Sequence, residues 1–154
     1  MKKHTDEEIN GMRNWLVGQG FPEFPAQVDG RSFSYFIIPQ SLNDNMPYFA
    51  HRATGDSKDN YVVGVSDKYP VDLRLPPAYH EFYEFMVLGM GAKDRCVRSL
   101  DEELRLVPER RVQEYLEMRK TLFENLIPYA REHPEEYTDE DVVEFGKTLK
   151  RIGE

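Results

Sequence analysis

The chain carries one cysteine, Cys96, and one tryptophan, Trp15, among 154 residues. A lone cysteine excludes an internal disulfide and a CxxC metal knuckle. No apolar run approaches the roughly 18 residues needed to cross a bilayer, so a helical membrane protein is excluded. The opening residues Lys2-Lys3-His4-Thr5-Asp6-Glu7-Glu8 lack the apolar core of a secretory signal. These scarcities together predict a reducing, cytoplasmic setting. Positive charge is also in deficit: 20 Lys and Arg against 28 Asp and Glu leave a net −8. Nucleic acids and anionic membranes demand a basic patch, so neither is expected as a partner. The nearest basic strip is Arg105, Arg110, Arg111, Arg119 and Lys120. Glu109, Glu114 and Glu117 interleave with it, and it reads as a salt-bridged helix surface.

Aromatic residues, by contrast, are plentiful, with 9 Phe and 9 Tyr, and 40% of the chain is hydrophobic. That is enough to build a packed core, and the length fits one domain over residues 1–154. Thr5 and Glu8 have capping-box spacing, which predicts a helix over about 6–17. Residues 21–67 change to aromatic and β-branched runs broken by turn formers. Asp29-Gly30 is a hairpin signal between runs at 23–28 and 31–38. The run Phe33–Ile38 is apolar on both faces and reads as a central strand. Further strands are expected at 47–53 and 61–67, with Tyr61, Val63 and Val65 on one face. The linkers are too short for helical crossovers, which predicts an antiparallel sheet.

From Pro76 the apolar spacing becomes helical. Tyr79, Phe82, Tyr83, Phe85, Met86 and Val87 surround the helix almost completely, as in a buried central helix. Helices are expected at about 94–106 and from Pro108 to Glu132, with Pro128 kinking or ending the latter. Thr138 caps a last helix, with Val142, Phe145, Leu149 and Ile152 as its buried stripe. The fold class is therefore α+β: an N-terminal helix, three or four antiparallel strands, then four helices stacked on one sheet face.

The buried helix contains His80-Glu81-Phe82-Tyr83-Glu84. His80 and Glu84 are four apart and share one helix face, so both can grip one metal ion. Glu81, one step round, can reach water beside that ion and take its proton. This segment resembles the HExxH active helix of zincin metallopeptidases, with Glu84 where those enzymes carry a second His. The resemblance covers roughly residues 31–106. It implies one divalent metal ion, zinc or another, and Glu81 as general base. Its gluzincin branch takes a further Glu ligand from a following helix. Eighteen residues separate Glu84 from Glu103, which makes Glu103 the third expected ligand.

A second reading stands beside this one. Ionisable groups in an apolar helix also persist when they pair, so His80 and Glu84 can be bonded to each other or to Arg95 or Arg98. The protein is then a non-enzymatic interaction domain, with a protein partner or a second copy on its aromatic sheet or C-terminal helices. A concave, water-accessible site predicts the hydrolase. Arginines closing off the carboxylates predict the structural cluster. His51 reads as a strand histidine that hydrogen-bonds or carries a proton. Cys96 reads as a small core residue or, between its positive neighbours, as a reactive thiol. Tyr83 and Tyr115 can offer hydroxyls to a pocket.

Overall fold

Thr5 opens the first helix through a reciprocal cap. Its hydroxyl accepts from the Glu8 amide, and the Glu8 carboxylate accepts from the Thr5 amide. The computed structural model describes residues 2–154. Helix α1 spans Asp6–Gly18 and buries Ile9 and Leu16. Four strands follow: β1 (Glu23–Val28), β2 (Arg31–Ile38), β3 (Ala50–Thr54) and β4 (Tyr61–Ser66). Asp29 and Gly30 both take positive φ, 52° and 79°, as a two-residue hairpin turn requires. They set β1 against β2 with Val28 opposite Arg31.

The strand order is β1-β2-β4-β3, and the sheet is mixed rather than antiparallel. β1–β2 and β3–β4 are antiparallel, but β2 and β4 run parallel. The short linkers do join consecutive strands. However, β4 inserts between β2 and β3, so residues 39–60, including β3 itself, act as the crossover that a parallel pair requires. Strand alternation then gives the sheet two apolar faces. Phe33, Ile37, Tyr61, Val63 and Val65 pack with Tyr79 and Phe82. Phe36, Ile38 and Val62 pack with Ile9 and Leu16 of α1. Helices therefore cover both faces, not one, because β2 is apolar on both sides and needs cover on each.

Helix α2 (Leu75–Phe82) starts with Pro76 and Pro77, which fit a first turn whose amides lack intrahelical partners. At Tyr83 the chain widens into a π-helical turn, Tyr83–Leu88. The Gly89 amide donates five residues back to the Glu84 carbonyl at 3.0 Å. Gly89, at φ 86°, then ends the helix in a conformation that favours glycine. Helices α3 (Arg95–Leu104), α4 (Val112–Glu132) and α5 (Asp139–Ile152) complete the chain.

Pro128 lies inside α4 without ending it. Pro128 and Glu124, whose carbonyl loses its amide partner, are both exposed, so water can replace that bond near the helix end. On α5 the Thr138 cap holds. The expected stripe faces inward, with Phe145 buried and Val142, Leu149 and Ile152 packed partly buried in the same cluster, and Asp141, Glu144 and Thr148 are buried beside it. The helix turns acids inward because Arg95 of α3 is buried there and pairs with Asp141. No helix among the described residues is long and apolar enough to cross a membrane.

Candidate functional site

His80, Glu81 and Glu84 project from one side of α2 and its π turn and are 2%, 6% and 4% exposed. Their partners come from β3 and α3. Arg52 of β3 reaches in from the sheet, and its Nη1 donates to Glu81 Oε2 at 3.0 Å and Glu84 Oε1 at 2.7 Å. Arg52 faces α2 because it alternates with His51 along the strand. Arg119 of α4 is fully buried and pairs with Glu103 of α3 at 3.1 Å. The Tyr115 hydroxyl also donates to Glu103, and Arg119 Nη1 donates to the Tyr69 hydroxyl at 3.2 Å.

Glu103 in turn holds His80, with Nδ1 2.6 Å from Oε1. Burial pushes the Glu103 carboxyl up, but the Arg119 and His80 charges and its hydrogen bonds outweigh this and hold it below its ordinary value. An ionised carboxylate only accepts, so Nδ1 donates in this bond and Nε2 is the ring nitrogen left to face the other side chains. Nε2 points to Cys96, 3.7 Å from its Sγ. Ligand atoms of His80, Glu84 and Cys96 all lie within 4.8 Å of one another. Of the residues expected to ligate, His80 and Glu84 are thus brought together. Glu103 lies across the imidazole ring and orients it.

The donor chemistry suits a cation. Three electron-pair donors converge, and the histidine is fixed by a carboxylate on its far nitrogen, an arrangement common around metal-bound histidines. Burial and the nearby Glu84 carboxylate push the Cys96 thiol well above its usual range. A bound divalent ion reverses that logic by supplying the missing positive charge. Glu84 commits one oxygen to Arg52, and a carboxylate has two. Burial raises the Glu81 carboxyl. Burial also pushes the Glu84 carboxyl up, but the Arg52, His80 and Arg95 charges and the Arg52 hydrogen bond together outweigh it and hold that group below its ordinary value. Two neighbouring carboxylates with diverging proton affinities are what a base and a ligand require.

These side chains open onto a cavity of about 450 Å³. Leu122, Phe123, Leu126 and Phe145 also line it, as do Lys2, His4, Glu136 and Tyr137. His51 also lines it, with its ring stacked on Phe49 at 5.2 Å, but takes no part in the donor group. Tyr115 reaches Glu103 rather than the cavity, and Tyr83 packs against Tyr79.

The arginines expected to close the cluster are engaged elsewhere. Arg95 turns to Asp141, and Arg98 donates to the Lys93 carbonyl. Arg52 and Arg119 take that place. Strand alternation next to His51 carried a signal for Arg52. Arg119 looked like part of a solvated strip, and only its burial in the fold reveals the partner. Within that strip, Arg105 and Arg111 do form surface ion pairs, with Asp29 and Glu114 among others.

No protein family, curated protein or solved structure matched the chain. The likeness to zincins therefore rests on the residues themselves.

Proposed function

We propose that the protein binds one divalent metal ion through His80, Glu84 and Cys96 and uses the site for hydrolysis of an acyl bond. The observation that carries this reading is the convergence of three donor atoms within 4.8 Å beside a cavity. A thiolate in the donor set favours zinc over magnesium, calcium or manganese. Three protein ligands leave room for a further one, as in catalytic rather than structural zinc sites. When bound, the ion supplies Lewis acidity and makes water easier to deprotonate.

The chain supplies the remainder. Glu81, with its raised proton affinity, accepts a proton from the attacking water. The water oxygen bonds to the acyl carbon, and the bond from that carbon to nitrogen or oxygen breaks. Glu81 then returns the proton to the leaving atom. Arg52 holds Glu81 and Glu84 apart and in place through one shared guanidinium nitrogen. Glu103 keeps Nδ1 of His80 protonated, and so keeps Nε2 free to donate.

Metal content tests the reading. Protein purified without chelator is expected to carry close to one zinc per chain by plasma mass spectrometry. Folded His80→Ala and Cys96→Ser variants are expected to lose it. Metal-free protein that also refuses added zinc sinks the proposal.

One set of contacts favours a second reading, a non-enzymatic domain with a structural polar cluster. Arg52 and Arg119 pair with Glu81, Glu84 and Glu103, which satisfies them without a metal. Under that reading, removing Cys96 changes neither metal content nor any ligand binding.

A further inference from the structure

We infer that the site takes a small molecule bearing an apolar, ring-sized group beside its metal-coordinating carbonyl, and not an extended polypeptide. This rests on the metal reading and adds the substrate class. Three observations carry it.

The lining of the cavity is chemically mixed. The donors, Glu81 and Arg52 share it with Leu122, Phe123, Leu126 and Phe145, and Cys96 itself packs in one cluster with Phe123 and Phe145. A ligand held by its carbonyl at the donors lays its neighbouring group on those apolar side chains. Polar ligand atoms there find no partners and stay desolvated, whereas an apolar group gains from burial.

The volume, about 450 Å³, falls within the usual range of roughly 300–1,000 Å³ for small-molecule pockets.

The start of the chain forms part of the lining. The Lys2 amide donates to the Glu136 carbonyl at 2.9 Å and the His4 amide to the Thr54 carbonyl at 3.0 Å. Residues 2–4 therefore run from the end of β3 to the α4–α5 connection, with Lys2 and His4 both lining the cavity. The Thr54 carbonyl on the outer edge of β3 is already occupied. An extended peptide seeking that edge meets a strand position already in use by residues that line the cavity.

Binding of hydroxamates, which chelate zinc, tests this on the zinc-loaded full chain by titration calorimetry. The probes are acetohydroxamate, phenylacetohydroxamate and a tripeptide hydroxamate ending in the same benzyl side chain. Phenylacetohydroxamate is expected to bind at least about tenfold tighter than acetohydroxamate, since its ring buries several carbons. The tripeptide is expected to bind no better than acetohydroxamate. Leu126→Trp fills the apolar side and is expected to erase the tenfold gain. Zinc content and acetohydroxamate affinity should stay at wild-type level, and Leu126→Met should keep the gain. Equal binding of the methyl and benzyl probes, or tightest binding by the tripeptide, overturns the inference alone. A protein that takes up no zinc and binds no hydroxamate overturns the metal reading, and this inference with it.

Discussion

Tyr79 and Phe82 on one side of α2 are as deeply buried as His80 and Glu81 on the other. The first side lies on the sheet, where Phe82 stacks on Phe33 at a centroid distance of 4.7 Å and the neighbouring Phe85 meets Tyr61 edge-on at 5.3 Å. That side gains from burial and from ring geometry. The second side faces β3, α3 and α4 with three carboxylates, two guanidiniums and an imidazole. Buried ion pairs of this kind seldom repay their desolvation against an apolar alternative. One helix is thus anchored by its aromatic side, while the opposite side is kept polar at a stability cost. A cost retained beside a cavity, with three donors converging, is the physical case for a site.

The comparison is broken most severely on the aromatic side. Phe82→Ala is expected to destabilise the protein by about 3–5 kcal/mol, the usual loss for a large buried ring. Zinc stoichiometry of the folded fraction should not change. Denaturant unfolding and metal analysis on the same preparations check both halves. Loss of zinc with retained fold would mean that the two sides are not separable.

On the polar side, Arg119→Met leaves Glu103 buried without its counter-charge and is expected to cost up to about 3–5 kcal/mol at neutral pH. The sign with pH follows from Glu103, whose carboxyl is held below its ordinary value in the folded protein. Such a group stabilises the fold above its unfolded pKa, the ordinary 4.5 of a glutamate, and that contribution is lost as pH falls through the lower folded value. Without Arg119 the folded value rises, so the deficit of the variant should shrink under acid. Urea unfolding across neutral and acidic pH measures it. A deficit that stays constant, or grows, counts against the Glu103–Arg119 pair as its source.

Metal addition should strengthen only the polar side. Zinc at a hundredfold its Kd is expected to stabilise the wild type by about 2.7 kcal/mol. Cys96→Ser should remove most of that gain while keeping the fold, since serine is nearly isosteric. An equal thermal shift in both proteins would place zinc elsewhere.

These two sides also differ in how far they can be read from the chain. The aromatic side follows from local spacing. Alternation in Phe33–Ile38 and helical spacing through Tyr79 and Phe82 name the residues that meet across the sheet. The Asp29-Gly30 turn and both threonine caps were equally local and hold. The polar side is only half legible. His80, Glu81 and Glu84 stand out as charges in an apolar helix, but their partners come from β3, α3 and α4, far away in sequence. Arg52, Cys96 and Arg119 become neighbours only once the mixed sheet and helix packing exist. The parallel β2–β4 pairing was hidden for a related reason. Short linkers constrain consecutive strands and say nothing about a strand that inserts between two others. Glu103 was found by spacing, but spacing does not report which side of an imidazole a carboxylate will occupy.

The mildest test lies across the sheet from the site. Thr5→Ala removes the hydroxyl that accepts from the Glu8 amide, and is expected to cost about 1 kcal/mol. Helix α1 packs on Phe36, Ile38 and Val62, the face opposite α2, so the loss should appear in urea unfolding with no change in zinc affinity. The expectation is sharper than its size suggests, because His4, next in sequence, lines the cavity and is held through its amide to Thr54. If the cap acts only on α1, hydroxamate affinity in Thr5→Ala matches wild type while stability falls. If fraying at Thr5 also frees His4, ligand exchange accelerates with zinc content intact. The segment that lines the cavity would then be coupled to the start of the first helix rather than held by its own two hydrogen bonds.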